Sequence, residues 1–296
     1  MKKIEFKIIK DDSYSDEINK ILDEEEMDSL INIKYLKVPN LFDSLKMDSI
    51  ETPIIVVGID IEKNTLVGVG ACSIFENKIG YLNSFRIKKE YRNKVKFNEA
   101  YKKIIEEVKQ YGVETIITTI LNENKIAQKI LTKKRKNMPI YKFYRNINFY
   151  SIKNKNKSDL KVYDKETLKL GDNSIILKNK ENKIYFVKEY KKIYRFIYFM
   201  RKIISFFGYP ELPKKNEKLN FLYLEIENEK NLKKTINFLQ NKGIDCNFFM
   251  LGVYENSEID KKMKNIKSFK YSSKLYKVFY EKEYEETEIN FKFWNL

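Results

Sequence analysis

Histidine is absent from the 296 residues, which removes every Ser–His–acid triad, imidazole proton shuttle and His-ligated metal from consideration. Cysteine is nearly absent too. Cys72 and Cys246 each sit in an apolar, strand-like run with no partner close in sequence. They read as packed, reduced thiols of a cytoplasmic protein, not as a disulfide or a zinc site, so no metal is expected. Alanine occurs only as Ala71, Ala100 and Ala127, and glycine at nine positions. No run nears the ~18 apolar residues of a membrane span. The opening MKKIEFKIIKDD alternates apolar with charged residues and no small-residue cleavage site follows, which makes it a first strand and not a signal peptide.

What is present is a folding composition: 43% hydrophobic and 14% aromatic residues, in a chain long enough for one large or two ordinary domains. Lys and Arg number 58 against 42 Asp and Glu, a net charge of +16. Such a surplus points to an anionic partner, whether nucleic acid, a membrane surface or a phosphorylated ligand. A chain this rich in lysine also carries much of it as plain solvated surface.

The most regular stretch is 81–137. It reads as strand, basic turn, helix, Gly112, strand, second helix. Lys88, Lys89, Arg92, Lys94 and Lys96 crowd between a strand ending near Ile87 and a helix starting near Phe97. Basic side chains beside the unpaired N–H groups of a helix start make a phosphate seat; the alternative is a solvated loop. Ala100, Ile104, Ile105 and Val108 give that helix an apolar face and Gly112 its C-terminal cap. TIITTIL is a β-branched strand, expected parallel to the preceding one. The second helix is expected to bury Ile126, Ala127, Ile130 and Leu131 and to end at Pro139, with Lys125, Lys129, Lys133 and Lys136 on its solvated side.

Upstream, alternation over 3–10 predicts a strand, Ser15 or Asp16 starts a helix, and a second helical segment fits Leu30 to Leu36. IIVVGIDI and TLVGVGACSIF read as a hairpin turning at Lys63–Asn64, with a third antiparallel strand from Ile79. Downstream, YKFYRNINFYSIK predicts two strands broken near Arg145 and Asn146. NKNKSD at 154–159 is a boundary. NSIILKN and KIYFVKE predict a hairpin around Glu181–Asn182, and 190–207 a helix covering the sheet, with a membrane-surface helix as the alternative. From 221 onward the order strand, helix, glycine, strand, helix, strand returns: Gly243, Ile244 and Asp245 answer Gly112, Val113 and Glu114, and KYSSKLYKVFYEK answers YKFYRNINFYSIK. The chain thus predicts an internal repeat of one α/β (α+β) unit, with domains at 1–153 and 160–296.

This order of elements resembles the GNAT (N-acetyltransferase) superfamily, and NKIAQKIL resembles its N-x-x-A pattern with Asn124 and Ala127 in place. The second half resembles the C-terminal copy of bacterial tandem GNAT proteins. The resemblance implies two tandem units with mixed central sheets flanked by helices, and acetyl-CoA or another acyl-CoA as donor to a small-molecule or peptide amine. It places the backbone of Phe85, Arg86 and Ile87 along the pantetheine arm and the residues Arg92, Asn93, Lys94, Val95, Lys96 and Phe97 around the pyrophosphate, with Asn124 beside the pantetheine. Five residues depart from the family. Val95 and Phe97 stand where its phosphate turn has glycines, Leu131 where a thiolate-protonating tyrosine is usual, and Asn83 and Ser84 where a catalytic base often lies. Tyr141 and Tyr144 fall near the expected cleft, as packing residues before catalytic ones. The second copy has ENEKN, with two acids and no glycine, at its phosphate turn. The catalytic residues are unassigned, and a second reading stays open: a non-catalytic protein of this fold using its basic surface on an anionic partner such as nucleic acid.

Overall fold

The computed structural model describes residues 3–24, 30–92, 95, 97–171, 173–280 and 289–296. The first half runs through β1 (Ile4–Ile9), α1 (Ser15–Glu24), β2 (Ile31–Lys37), α2 (Leu41–Lys46), β3 (Ile54–Asp60), β4 (Thr65–Phe75), β5 (Ile79–Ile87), α3 (Asn98–Lys109), β6 (Thr115–Leu121), α4 (Lys125–Leu131) and β7 (Ile140–Lys153). The second half follows with β8 (Lys165–Leu170), β9 (Asn173–Lys178), β10 (Lys183–Tyr190), α5 (Ile193–Phe199), α6 (Arg201–Phe206), β11 (Phe221–Ile226), α7 (Leu232–Asn241), β12 (Phe248–Tyr254), α8 (Glu258–Met263) and β13 (Ser268–Phe279).

Local chemistry accounts for the central elements. Asn64 takes φ +48° at the β3–β4 turn, a conformation that asparagine tolerates better than most residues. Gly112, at φ +72°, donates its N–H to Lys109 O (2.9 Å) and closes α3. Gly243 does the equivalent bend after α7 at φ +76°. The expected parallel pairs both form, β5 with β6 and β11 with β12. Cys72 and Cys246 are buried free thiols, and burial pushes both pKa values up, that of Cys246 to about 12.

Eleven strands make one continuous mixed sheet in the order β1-β3-β4-β5-β6-β13-β7-β12-β11-β9-β8. Reading outward from the centre, β13, β6, β5, β4 and β3 on one side answer β7, β12, β11, β9 and β8 on the other, which is the repeat seen in sequence. The last strands of the two halves have changed places. β13 lies against β6, β7 lies against β12, and the two pair with each other along their whole length. α3 and α7 cover one face above two apolar clusters centred on Ile104 and Ile236. α1, α2 and the tail 289–296 cover the opposite face, where Ile289, Phe291 and Trp294 pack on Phe75, Ile117, Phe149 and Leu275.

Several sequence expectations are corrected. Residues 30–36 are strand and not helix: Ile31, Ile33 and Tyr35 alternate with period two, and β2 pairs with β10 from the other half. NSIILKN and KIYFVKE form no hairpin, because both edges of β9 are taken by β8 and β11. β7 is one strand; the break near Arg145 is a bulge opposite Leu275 and Tyr276. α4 ends at Leu131, well before Pro139, and turns only Ala127 and Leu131 inward, leaving Ile126 and Ile130 exposed. The 190–207 segment is two short helices meeting at Met200.

The exchange of β7 and β13 has a direct test. A fragment of residues 1–153 lacks the strand that pairs with β6, and with it the fully buried Leu275. It is expected to elute as an aggregate and to show no cooperative thermal transition by circular dichroism; a monomeric, cooperatively melting fragment would contradict this.

Candidate functional site

The site begins where β5 and β6 part. Their backbones pair at Ile79↔Thr115, Gly80↔Ile116 and Tyr81↔Ile117 and then stop, although both strands continue. Side chains bridge the first gap: Thr118 Oγ1 donates to Leu82 O (2.8 Å) and Tyr81 Oη meets Thr119 Oγ1 (2.8 Å). Beyond them β6 turns to β13, and β5 keeps only β4. Lys88 N–H bonds Val67 O on β4 (2.9 Å), so by strand alternation the backbone groups of Ile87 and Phe85 face the opening. Their carbonyls accept from arginine side chains, Phe85 O from Arg86 Nη1 (2.9 Å) and Ile87 O from Arg92 Nε (3.2 Å).

A bulge shapes this edge. Between Asn83 and Arg86 the β4–β5 register slips, and Ser84 sits at φ +58°, a strained value for a residue with a Cβ. Gly70, opposite the bulge, has to be glycine, since an added Cβ would lie 2.5 Å from the Phe85 ring. Phe85 uses that space to stack on Tyr101 of α3, ring centroids 4.8 Å apart.

The basic turn follows β5. Lys89 and Arg92 are exposed. Val95 and Phe97, the two residues standing where glycines were expected, direct their side chains into the α3 cluster, Phe97 edge-on to Phe6 at 5.8 Å. Asn93, Lys94 and Lys96 lie outside the described residues. Asn124 caps α4, its Oδ1 accepting from Ala127 N–H (3.0 Å). Leu131 packs in the same cluster. Tyr141 is buried edge-on to Tyr101 and Tyr276, and Tyr144 lies beneath Arg145 and Lys277. Tyr144 Oη also accepts from Ile289 N–H (3.4 Å).

The polar centre of the splay was not anticipated from sequence. Lys37, at the end of β2, reaches over the bulge and donates to Asn83 Oδ1 (3.2 Å), which also accepts from Ser84 Oγ (2.8 Å). Asn83 Nδ2 is held by Tyr81 O (3.1 Å) and Ser73 Oγ (3.3 Å). Lys37 is 91% buried, and among the described residues no carboxylate comes within ion-pair distance of it. Burial, with Lys183 and Arg86 nearby, pushes its pKa well below the ordinary lysine value against the pull of Asp48. Nothing local could have revealed this residue, one lysine among many on a strand whose partner lies about 150 residues later.

Behind Lys37 the two halves are clasped. Asp48 is almost fully buried between Lys180 and Lys183, with Lys183 Nζ at 2.9 Å. Burial drives the Asp48 carboxyl upward, but the two lysines overcome it and hold its pKa below the usual range. Ser44 and Asn182 exchange buried hydrogen bonds alongside (2.9 and 2.7 Å). A cleft of about 310 Å³ between α1 and β2 is lined by Asp16, Asn19, Asp23, Tyr35 and Lys37. A larger groove of about 1250 Å³ follows α3, lined among others by Lys102, Glu106 and Tyr280. It lies on the opposite face of the sheet from Lys37.

Residues 19–135 match the family model described as the acetyltransferase (GNAT) family. The match spans 117 of the 296 residues, so the likeness to that family is one of this stretch. The matched segment contains the whole β5–β6 splay, the basic turn, Lys37 and Asn124. Among solved structures the chain is similar to a Pyrococcus horikoshii protein assigned as an acetyltransferase, with 10% identity over 94% of this chain and 90% of that one and a TM-score of 0.49. It is similar also to a GCN5-related N-acetyltransferase from Kribbella flavida, with 6% identity over 93% and 71% of the two chains and a TM-score of 0.45. A Bacillus anthracis protein assigned as a streptothricin acetyltransferase, solved with acetyl coenzyme A, matches over 47% of this chain and 83% of its own, with 13% identity and a TM-score of 0.33. No curated protein matches the sequence. Among the described residues no cluster of His, Cys, Asp or Glu could hold a metal ion, and no helix is long and apolar enough to cross a membrane.

Two measurements probe the buried charges. Asp48→Asn leaves two buried lysines without their carboxylate and is expected to lower stability by ~3 kcal/mol in urea unfolding. Lys37 has a folded pKa below its unfolded one, so the unfolded state binds more protons and stability should climb as pH rises toward the unfolded lysine value, about 10.4. Lys37→Met is expected to keep or raise the neutral-pH stability and to flatten that climb.

Proposed function

We propose that this protein is an acyl-CoA-dependent N-acyltransferase built of two units, residues 1–153 holding the acyl donor and residues 160–296 completing the sheet and walling the acceptor side. One observation carries the reading: inside the segment similar to the GNAT family, the unpaired edge of β5 leads straight into a basic turn at the start of α3. A strand edge suits the amide-bearing arm of coenzyme A, and a cluster of cations suits its phosphates. The placement of Val95 and Phe97 supports the fit, because their side chains turn into the core.

On this reading Phe85, Arg86 and Ile87 hold the arm by their backbone. Arg92, with its neighbours Asn93, Lys94, Val95, Lys96 and Phe97, holds the diphosphate, and Asn124 fixes the start of α4 alongside. The donor supplies a thioester carbonyl for attack by an amine. The cleft between α1 and β2 admits the acceptor; Asp16 and Lys20 stand at its rim, and Asp23 there is paired with Lys34 at 2.5 Å. Lys37 Nζ, which burial disfavours as an ammonium and which bonds Asn83 Oδ1, takes the proton of the attacking amine as the C–N bond forms; the C–S bond breaks and coenzyme A leaves as a thiolate that is protonated by the Lys37 ammonium or by solvent.

Titration calorimetry with acetyl-CoA and longer acyl-CoAs tests the donor site. Binding is expected, and Arg92→Ala should weaken it by ~1 kcal/mol or more through loss of a charge-assisted contact. The absence of heat with every donor would sink the proposal, and unchanged affinity in the variant would move the phosphates elsewhere.

A further inference from the structure

The helix pair α5–α6 presents an apolar stripe to solvent. Ile193, Phe196, Phe199, Ile203, Phe206 and Phe207 are each more than half exposed, Phe199 and Phe206 to 84% and 85%. Their spacing follows one side of a continuous helical course, for Met200 N–H bonds Phe196 O (3.1 Å) and Ile204 N–H bonds Met200 O (3.0 Å) across the joint. The other side is fixed to the protein. Tyr194, Ile197 and Tyr198 pack with Val187, Tyr190 and Leu212, and Lys153 Nζ donates to Ser205 O and Oγ, both at 2.8 Å. The phenylalanines therefore have no core to enter by a small rotation. This corrects the expectation that the segment covers the sheet with its apolar content; only half of that content does so.

The charges around the stripe are of one sign. Lys191, Lys192, Arg195, Arg201 and Lys202 lie within it, no acidic residue occurs from 190 to 208, and the Lys267 stem runs beside Gly208. Lys192, Arg195, Lys202 and Lys267 are exposed. Glu189 and Glu211, the acids flanking the segment, meet Arg195 and Arg201 at 3.4 and 3.5 Å, and Lys192, Lys202 and Lys267 are exposed beside the stripe. A second copy of the chain would bring the same cations face to face. From Ile193 to Phe206 the pair is about 21 Å long, at 1.5 Å per residue, too short to cross a bilayer of ~30 Å hydrocarbon. Exposed Phe and Ile flanked by Lys and Arg match the chemistry of an anionic lipid surface, with the rings in the acyl boundary and the cations among the headgroups.

We infer that α5–α6 is a peripheral membrane-docking face that binds the surface of anionic phospholipid bilayers. The inference stands on the helix pair alone and is independent of the acyltransferase reading. The test is co-sedimentation of the full chain with vesicles of phosphatidylcholine containing ~30% phosphatidylglycerol, against pure phosphatidylcholine, at about 0.1 M salt. The wild type is expected to pellet with the anionic vesicles and to remain largely in solution with the neutral ones. Phe199→Ser with Phe206→Ser should reduce binding at least about tenfold with an unchanged melting temperature, since both side chains are already exposed. Lys192→Gln with Lys202→Gln should reduce it less. Failure of the wild type to pellet with anionic vesicles, or equal pelleting by the phenylalanine variant, would overturn the inference. So would a dimer in sedimentation velocity that the phenylalanine variant abolishes, by assigning the face to a second copy.

Discussion

The fold depends on the antiparallel pairing of β7 with β13. These strands, the last of each half, run along each other from Ile140↔Phe279 to Ile152↔Ser268, and each then serves as the outer neighbour of the other half's parallel pair. Two open sheet edges, one per half, disappear into one ladder. The buried Asp260 secures the same place: it accepts from Asn148 and Tyr150 of β7, both at 2.7 Å, and from Asn256 N–H (2.9 Å). Ser272 of β13 donates to Asn148 Oδ1 (2.6 Å). A carboxylate so fully bonded costs little to bury and fixes the register of the exchange.

The exchange also decides what can stand at the splay. Because β13 draws β6 away, β5 is left with one partner beyond Tyr81, and the side chains of Thr118 and Thr119 fill the first step of the gap. Across the opening comes β2, whose own partner β10 belongs to the second half. Lys37 therefore reaches Asn83 only when both halves are assembled, and the Asp48–Lys180–Lys183 clasp ties the α2 end to the β9–β10 turn beside it. The proposed site is in this sense a product of the whole chain, although its residues fall inside the matched segment.

How much of this was legible follows from where the information sits. The meander β3–β5, the unit β5–α3–β6, the glycine stops and the repeat were written in local patterns of period two and 3.6, so the sequence displayed them. β2 was misread because Leu30, Ile33 and Leu36 recur every third residue and suit a helix as well as the alternation of Ile31, Ile33 and Tyr35 suits a strand, and so short a run does not separate the two. The exchange of β7 and β13 could not be read at all, since two strands of matching pattern fit equally well beside either parallel pair. Lys37 carries no local mark, and the family pattern directed attention to Asn83 and Ser84, of which Asn83 accepts from the lysine's amine and Ser84 donates to the same Asn83 oxygen.

The two halves share an element order and differ in what fills the equivalent place. In the first, the parallel pair stops after three positions and opens beside Ser84 and a basic turn. In the second, β11 and β12 pair at four positions, Phe293 of the tail lies over Gly252, where an added Cβ would come within 2.6 Å of it, and Phe221, Tyr223 and Phe248 pack as one aromatic group. The turn that follows β11 carries Glu227 and Glu229 where the first half carries lysines. The second half carries β10, α5 and α6 between β9 and β11, where β4 and β5 of the first half are joined by only a short turn. That insertion provides both the strand that steadies β2 over the splay and the exposed aromatic face on its outer side. An anionic cofactor would be repelled by the acids of ENEKN, and the aromatic group at the paired start of β11 and β12 seats β10 against the sheet through Tyr185 and Tyr223.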